Sequence, residues 1–105
     1  MRFDAKTEKT LDIKRDEAKN QINCRAFEII NAKFPIFKQQ NANQRLVELV
    51  ASNQINTVEW NQIQDQWKWV QEVRAASNSY HALLDNASTV EECINLLHEF
   101  LQKSF

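Results

Sequence analysis

Apolar residues recur every three or four positions along four segments of the chain, which is the spacing of one face of an α-helix. The first segment runs from about Thr7 to Lys33. Its stripe comprises Leu11, Ala18, Ile22, Ala26 and Ile29, widened later by Phe27, Ile30 and Phe34. We predict that its last three turns are buried. The thinly apolar turns within residues 1–17 are expected to project from the body and to dock on a partner or self-associate.

A second helix is predicted from about Pro35 to Ser52, after a sharp turn at the only proline of the chain. The residue before a proline is disfavoured in the α region, so the first helix should end at Lys33 or Phe34. Proline itself suits the first position of a helix. The residues expected to face inward are Phe37, Leu46, Val47, Leu49 and Val50.

The third helix is predicted from Thr57 to about Asp85, roughly 43 Å at 1.5 Å per residue. Asn56 or Thr57 is the expected N-cap, with Glu59 three residues after Asn56 in the position of a capping box. Steps of three and four form a heptad seam. The seam consists of Trp60, Ile63, Trp67, Val70, Arg74, Ser77, His81 and Leu84, and a flanking stripe consists of Trp69, Val73, Ala76, Tyr80 and Leu83.

The last helix begins in the segment NASTVEE, where either Ser88 with Glu91 or Thr89 with Glu92 makes a capping box. Its expected inner face is Val90, Ile94, Leu97 and Leu101, with Cys93 and Phe100 beside it. Together the four patterns predict an all-α, four-helix bundle-like single domain over residues 1–105, with a long central third helix.

The absence of glycine supports this fold class and excludes several functions. Phosphate-binding loops and dinucleotide folds need glycine for the close approach of the backbone to the anion. Asparagine, the next-best residue for left-handed backbone, occupies the expected connections at Asn53, Asn56 and Asn86. The formal net charge is −1. That charge creates no bulk field that would attract nucleic acid, and no apolar run is long enough to cross a bilayer.

The candidates for chemistry are few and scattered. A disulfide between Cys24 and Cys93 is one possibility, but two reduced, mostly buried thiols in a cytosolic protein are expected instead, because both follow helical patterns beside apolar residues. His81 and His98 belong to no metal-binding spacing. Basic residues of the first helix alternate with acidic ones, which is typical of a solvated helix surface. We therefore expect no catalytic residue, no metal, no cofactor, no small-molecule substrate and no nucleic-acid partner.

Residues Ile22 to Ser77 resemble a helical segment of tail-associated proteins of tailed bacteriophages, from tail-fibre or tail-fibre-assembly regions. The stretch FPIFKQQNANQRLVEL is followed by a tryptophan-rich helix, WKWVQEVRAAS. The matching positions are Phe34, Pro35, Lys38, Gln39, Asn41, Arg45, Glu48, Leu49, Trp67, Val70, Val73, Arg74 and Ser77. Phe37 stands where the family more often has tryptophan.

The resemblance implies a non-enzymatic structural or assembly protein that binds other phage tail proteins, in the host cytoplasm during assembly or in the virion tail. A phage-encoded inhibitor that binds a host defence complex is the alternative. Tryptophan dominates many protein interfaces, and Trp69 can equally be a partner contact or a core residue. The other candidate partner-binding residues are Lys38, Gln39, Asn41, Arg45 and Arg74. All five can instead form a polar network that fixes the proline corner. In that network Arg45 pairs locally with Glu48 or, alternatively, Arg45 and Arg74 reach carboxylates on neighbouring helices.

Overall fold

A computed structural model describes the backbone of residues 2–105 and the side chains of residues 10–105. It contains four helices and, over the described residues, no strand: α1 (Arg2–Lys33), α2 (Ile36–Ala51), α3 (Val58–Asp85) and α4 (Val90–Leu101). The prediction of an all-α, bundle-like fold is confirmed. Helix α1 begins at Arg2 rather than Thr7, because no proline or glycine interrupts its first turns. The prediction that the first turns of α1 dock on a partner or self-associate involves side chains of residues 1–9, which lie outside the described ones.

The helices form a three-helix body and a two-helix arm. In the body (residues 10–35 and 67–105), α1 and α3 are antiparallel, since Arg15 lies at Ala87 while Lys33 lies over the ring of Trp69. Helix α4 packs against both. Helix α2 packs chiefly against the first half of α3, beyond the end of α1, and these two helices form the arm (residues 36–66). The molecule is consequently elongated, 68 × 20 × 20 Å.

The proline corner separates α1 from α2 as predicted. Pro35 has φ −62° and ψ 161°. It is the N-cap of α2, whereas the sequence predicts it at the first helical position, so α2 begins one residue later than expected, at Ile36. The Phe34 ring is buried and packs edge-on against Trp67, with ring centroids 4.9 Å apart. Gln39 Nε2 donates a 2.8 Å hydrogen bond to the Phe34 carbonyl, which has no helical partner at the break. The side chain of Gln39 therefore stabilises the corner.

Asparagine replaces glycine where the chain reverses between α2 and α3. Asn53 and Asn56 have φ of 58° and 65°, in the left-handed region. The N–H of Gln54 donates to the Leu49 carbonyl (2.8 Å) and that of Asn53 to the Val50 carbonyl (3.1 Å), the bonding of a Schellman motif. Asn86 does not follow this prediction, since its φ is −96°.

Threonine caps the last two helices. Thr57 caps α3 by accepting a hydrogen bond from the Trp60 N–H, and Thr89 caps α4 by accepting one from the Glu92 N–H. The Glu92 carboxylate accepts from the N–H of Ser88 at 2.9 Å and not from that of the N-cap Thr89. Of the Thr89–Glu92 capping box only the half in which the Thr89 hydroxyl accepts from the Glu92 N–H is formed. Glu59 makes no capping box with Asn56, because its carboxylate binds Arg45 instead.

The α3 seam is confirmed at its heptad positions. Ile63, Val70, Ser77 and Leu84, each seven residues apart, are all buried. Arg74, by contrast, is exposed. These four buried positions extend through both arm and body, so α3 is the common scaffold of the fold.

On every helix the predicted apolar face differs in part from the one observed. Helix α4 is rotated so that Cys93 and Phe100 are buried, while Ile94 and Leu101 are exposed. The reason is that α4 packs on both α1 and α3, which selects the face bearing Cys93 and Phe100. On α1 and α3, the flanking residues Phe27 and Leu83 are exposed as well.

The predicted inner face of α2 is mostly wrong. Leu49 is buried, and Leu46 packs against the core, but Phe37, Val47 and Val50 are exposed. The residue that accompanies Leu49 is Ala42. Since α2 meets only one substantial neighbour, it can bury only one of its two apolar faces.

Candidate interaction surface

Helix α2 carries an exposed apolar face, here named the α2 stripe and made of Ile36, Val47 and Val50. Val47 lies about three helical turns after Ile36, and Val50 lies three residues further on, so all three share one side of the helix. Their exposed fractions are 53%, 69% and 58%. The exposed amide of Asn43 lies between them on the same side. Single exposed apolar residues are normal on a protein surface, whereas an aligned set marks an interaction site more often. The α2 stripe is therefore a candidate contact surface.

A groove begins where the α2 stripe ends. It lies between α1, α3 and the first turns of α2 and has a volume of about 440 Å³. It is lined by Asn23, Ala26, Phe27, Ile30 and Asn31 of α1, by Ile36 and Gln39 of α2, and by Arg74, Ser77 and Asn78 of α3. Apolar side chains and amides thus share one concave surface, which is typical of a binding site with directional contacts.

Arg45 ties the arm together at its outer end. Its Nε and Nη2 atoms contact the two carboxylate oxygens of Glu59 on α3, at 2.6 and 3.0 Å, and its Nη1 contacts Glu48 at 2.9 Å. The two pairings of Arg45 that the sequence offers as alternatives, with Glu48 and with a neighbouring helix, therefore both occur. The hydrogen bonds from Arg45 hold the pKa of Glu59 below its ordinary value, and those carboxylates raise the pKa of Arg45. Arg45 thus holds α2 against α3 and is engaged within the chain.

The other candidate partner residues have different environments. Trp69 is half-buried and packs on the core, with the Lys33 ammonium 5.0 Å from its ring centroid. Lys38 and Asn41 are exposed on α2. Gln39 holds the corner and also lines the groove. Arg74 lies on the groove, and among the described side chains no carboxylate lies within ion-pairing distance of it. The structure thus brings Gln39 and Arg74 together in the groove.

At the far end of the body a second ion pair links the helices. Lys19 of α1 binds the carboxylate of Asp85 at the end of α3, and this hydrogen bond lowers the pKa of Asp85. The neighbouring guanidinium of Arg15 donates to the carbonyl of Ala87. Both contacts fix the register of α1 against α3.

The cysteines differ from each other. Cys93 is buried, and burial raises the pKa of its thiol, whereas Cys24 is exposed, contrary to prediction. Both are free thiols. Among the described residues, no group of three or more histidine, cysteine or acidic side chains could hold a metal ion. Of the helices described, none combines the length and apolar character needed to cross a membrane.

No family model, no curated protein and no solved structure matches this chain.

Neither the groove nor the α2 stripe was recognised from the sequence. Ile36, Phe27 and Val47 are apolar at helical spacing, and such residues are more often core than surface. The feature of the sequence that indicates an exposed apolar face is the excess of apolar positions on α2. Two stripes fit on that helix, one with Ala42 and Leu49 and one with Val47 and Val50, but one neighbouring helix can cover only one of them.

Proposed function

We propose that this protein is a non-enzymatic assembly or structural protein of a bacteriophage tail, and that it acts by binding another protein through the α2 stripe and the adjoining groove. The exposure of the α2 stripe is the observation that carries the proposal. Burial of apolar surface contributes roughly 25 cal/mol per Å², so an aligned exposed stripe is a source of binding free energy. The tail setting rests on the resemblance of residues 22–77.

The arm geometry supports a binding role over a purely internal one. Arg45 and the buried Leu49 hold α2 on α3 without help from the α2 stripe. The stripe can therefore be covered by a partner without rearrangement of the arm. Helix faces with apolar residues at three- and four-residue spacing are a common mode of protein recognition.

The test is recovery of partners from phage-infected cells with a tagged chain, followed by cross-linking and mass spectrometry. The test variant is Val47→Asp combined with Val50→Asp, and the matched control is Leu83→Asp, an equally apolar, exposed residue on the outer side of α3. We expect tail proteins to be recovered with the wild type and the control but not with the double variant.

Circular dichroism first establishes that all three proteins are folded. Recovery of tail proteins that is unaffected by the double variant would show that the α2 stripe is not the contact. Recovery of a host defence complex in place of tail proteins would instead support an inhibitor. Co-purification with assembled particles separates a virion component from an assembly factor.

A further inference from the structure

The groove occupies the side of the α1–α3 pair that α4 leaves open. Residues of α1 near α4 include Glu17, Gln21 and Arg25, whereas the groove is lined by Asn23, Phe27 and Asn31 on the other flank of the buried stripe. No residue of α4 lines the groove. An antiparallel helix pair covered on one side by a third helix has room for a fourth on the other side, and that arrangement is a four-helix bundle.

The shape of the groove suits a helix. Asn23, Phe27 and Asn31 are four residues apart and form one ridge along α1, while Arg74 and Asn78, also four apart, form the facing ridge on α3. Ala26 and Ile30 lie between these ridges. Small and apolar residues at the base of a groove allow close approach of a helix about 10 Å across.

The charge of the groove defines its occupant further. Of the described residues that line the groove, Arg74 is the only one that carries a charge. The arginines Arg15, Arg25 and Arg45 each pair with a carboxylate of this chain, but Arg74 pairs with none of the described carboxylates. A guanidinium next to a partly desolvated surface binds a carboxylate through two parallel hydrogen bonds and repels an ammonium group.

From this arrangement we propose that the groove binds an amphipathic helix of a partner protein that places apolar side chains on Phe27, Ile30 and Ile36 and one aspartate or glutamate on Arg74. The inference rests on the proposed function and specifies the partner of that surface. The amides of Asn23, Asn31 and Asn78 provide neutral hydrogen-bonding groups along the rim, so Arg74 alone selects the charge of the occupant.

The test uses a displayed library of helical peptides about 18 residues long, with apolar residues at i, i+3, i+4 and i+7. The polar positions are randomised among acidic, basic and neutral residues. The full-length protein is the bait. We expect peptides selected by the wild type to carry an acidic residue at one fixed position. Peptides selected by Arg74→Gln should lose that preference, and peptides selected by Arg74→Glu should carry a basic residue there.

A selected peptide is then measured with its acidic residue changed to the matching amide. Loss of a charge-assisted hydrogen bond should weaken binding to the wild type by about tenfold or more, and the same change should have little effect on Arg74→Gln. Lys68→Gln is the control bait, because Lys68 is an exposed cation of α3 outside the groove. It should behave as the wild type.

Selected peptides without an acidic preference, or a failure to select any binder, would overturn the proposal. The proposed function would survive failure of the peptide selection if the Val47→Asp, Val50→Asp variant still fails to recover the tail proteins that the wild type recovers from infected cells. Analytical sedimentation of the protein alone tests whether a second copy of the chain occupies the groove. A dimer that Arg74→Glu abolishes would place that second copy in the groove and would also overturn the proposal.

Discussion

The body and the arm share helix α3, yet they bury their apolar residues to different extents. In the body, α1, α3 and α4 enclose Ile22, Val73, Leu84 and Phe100, each with no exposed surface. In the arm, only Ala42, Leu49 and Ile63 are buried, and the α2 stripe remains exposed. Regions with few buried contacts open most readily and often carry binding surfaces. The body thus provides stability, while the arm provides an accessible helix face.

The contrast follows from the number of neighbours that each helix has. A helix with two neighbours can bury a wide apolar stripe, as α4 does with Cys93, Phe100 and the partly buried Leu96 and Leu97 on either side of them. A helix with one neighbour buries a narrow stripe. Helix α2 has two apolar faces but packs substantially against only one other helix. This difference is the physical basis of the proposed partner contact.

The strongest effect is expected in the body. Phe100→Ala removes a fully buried ring that contacts Tyr80 and Phe105. It should lower the free energy of unfolding by about 3–5 kcal/mol. The matched control is Phe37→Ala in the arm, where the ring is 61% exposed, and its effect should lie within about 0.5 kcal/mol. Urea denaturation measures both. Comparable losses would show that Phe37 is a core residue, as the sequence pattern alone suggested.

A smaller and more local effect is expected in the arm. Leu49→Ala removes the main buried side chain of α2 and should cost about 2 kcal/mol, because the thin arm can relax around the gap. Amide exchange should become faster along α2 while α4 stays protected. Val50→Ala, next in sequence but exposed, should leave exchange unchanged. Equal acceleration in α2 and α4 would mean that arm and body unfold as one unit.

The helix caps should have still smaller effects. Thr89→Ala and Thr57→Ala each remove a hydroxyl that accepts a backbone N–H at a helix start. Each substitution should cost about 1 kcal/mol. The loss from Thr89→Ala should appear in the global unfolding transition, whereas Thr57→Ala should accelerate exchange only near the beginning of α3. The reverse pattern would contradict the division into body and arm.

The weakest effect concerns acid. The pKa of Glu59 in the arm is lowered by Arg45, and that of Asp85 in the body is lowered by Lys19. A carboxyl whose pKa is lowered on folding stabilises the folded state above its unfolded pKa, about 4, and loses that contribution as the pH falls through the folded pKa. Acid should therefore weaken both regions slightly.

Variants separate the two carboxyls. Glu59→Gln should remove the acid sensitivity of the backbone amides in the arm only. Asp85→Asn should remove the acid sensitivity of the amides where α1 meets the end of α3. NMR spectra recorded during an acid titration measure both effects. Both groups are exposed, so the changes should be small. Acid sensitivity of the arm that persists in Glu59→Gln would assign it to another group.

Much of the fold could be predicted from sequence because local signals mark the helix ends. Pro35 ends α1, Thr57 and Thr89 begin α3 and α4, and the heptad of α3 identifies Ile63 and Leu84 as core. The pairing of Arg45 with Glu48 follows from their spacing of three. The groove could not be predicted, because its three walls come from helices whose relative positions no local pattern specifies.

Local patterns in the chain are enough to establish that it is helical, where each helix after the first begins, and which face of α3 is central. They do not establish that α4 buries Cys93 and Phe100 rather than Ile94, or that α2 leaves Val47 and Val50 exposed; the packing of the helices does. Periodicity defines the angles of side chains around one helix axis. Which angle is covered depends on where the other helices lie, and that is a property of the whole chain.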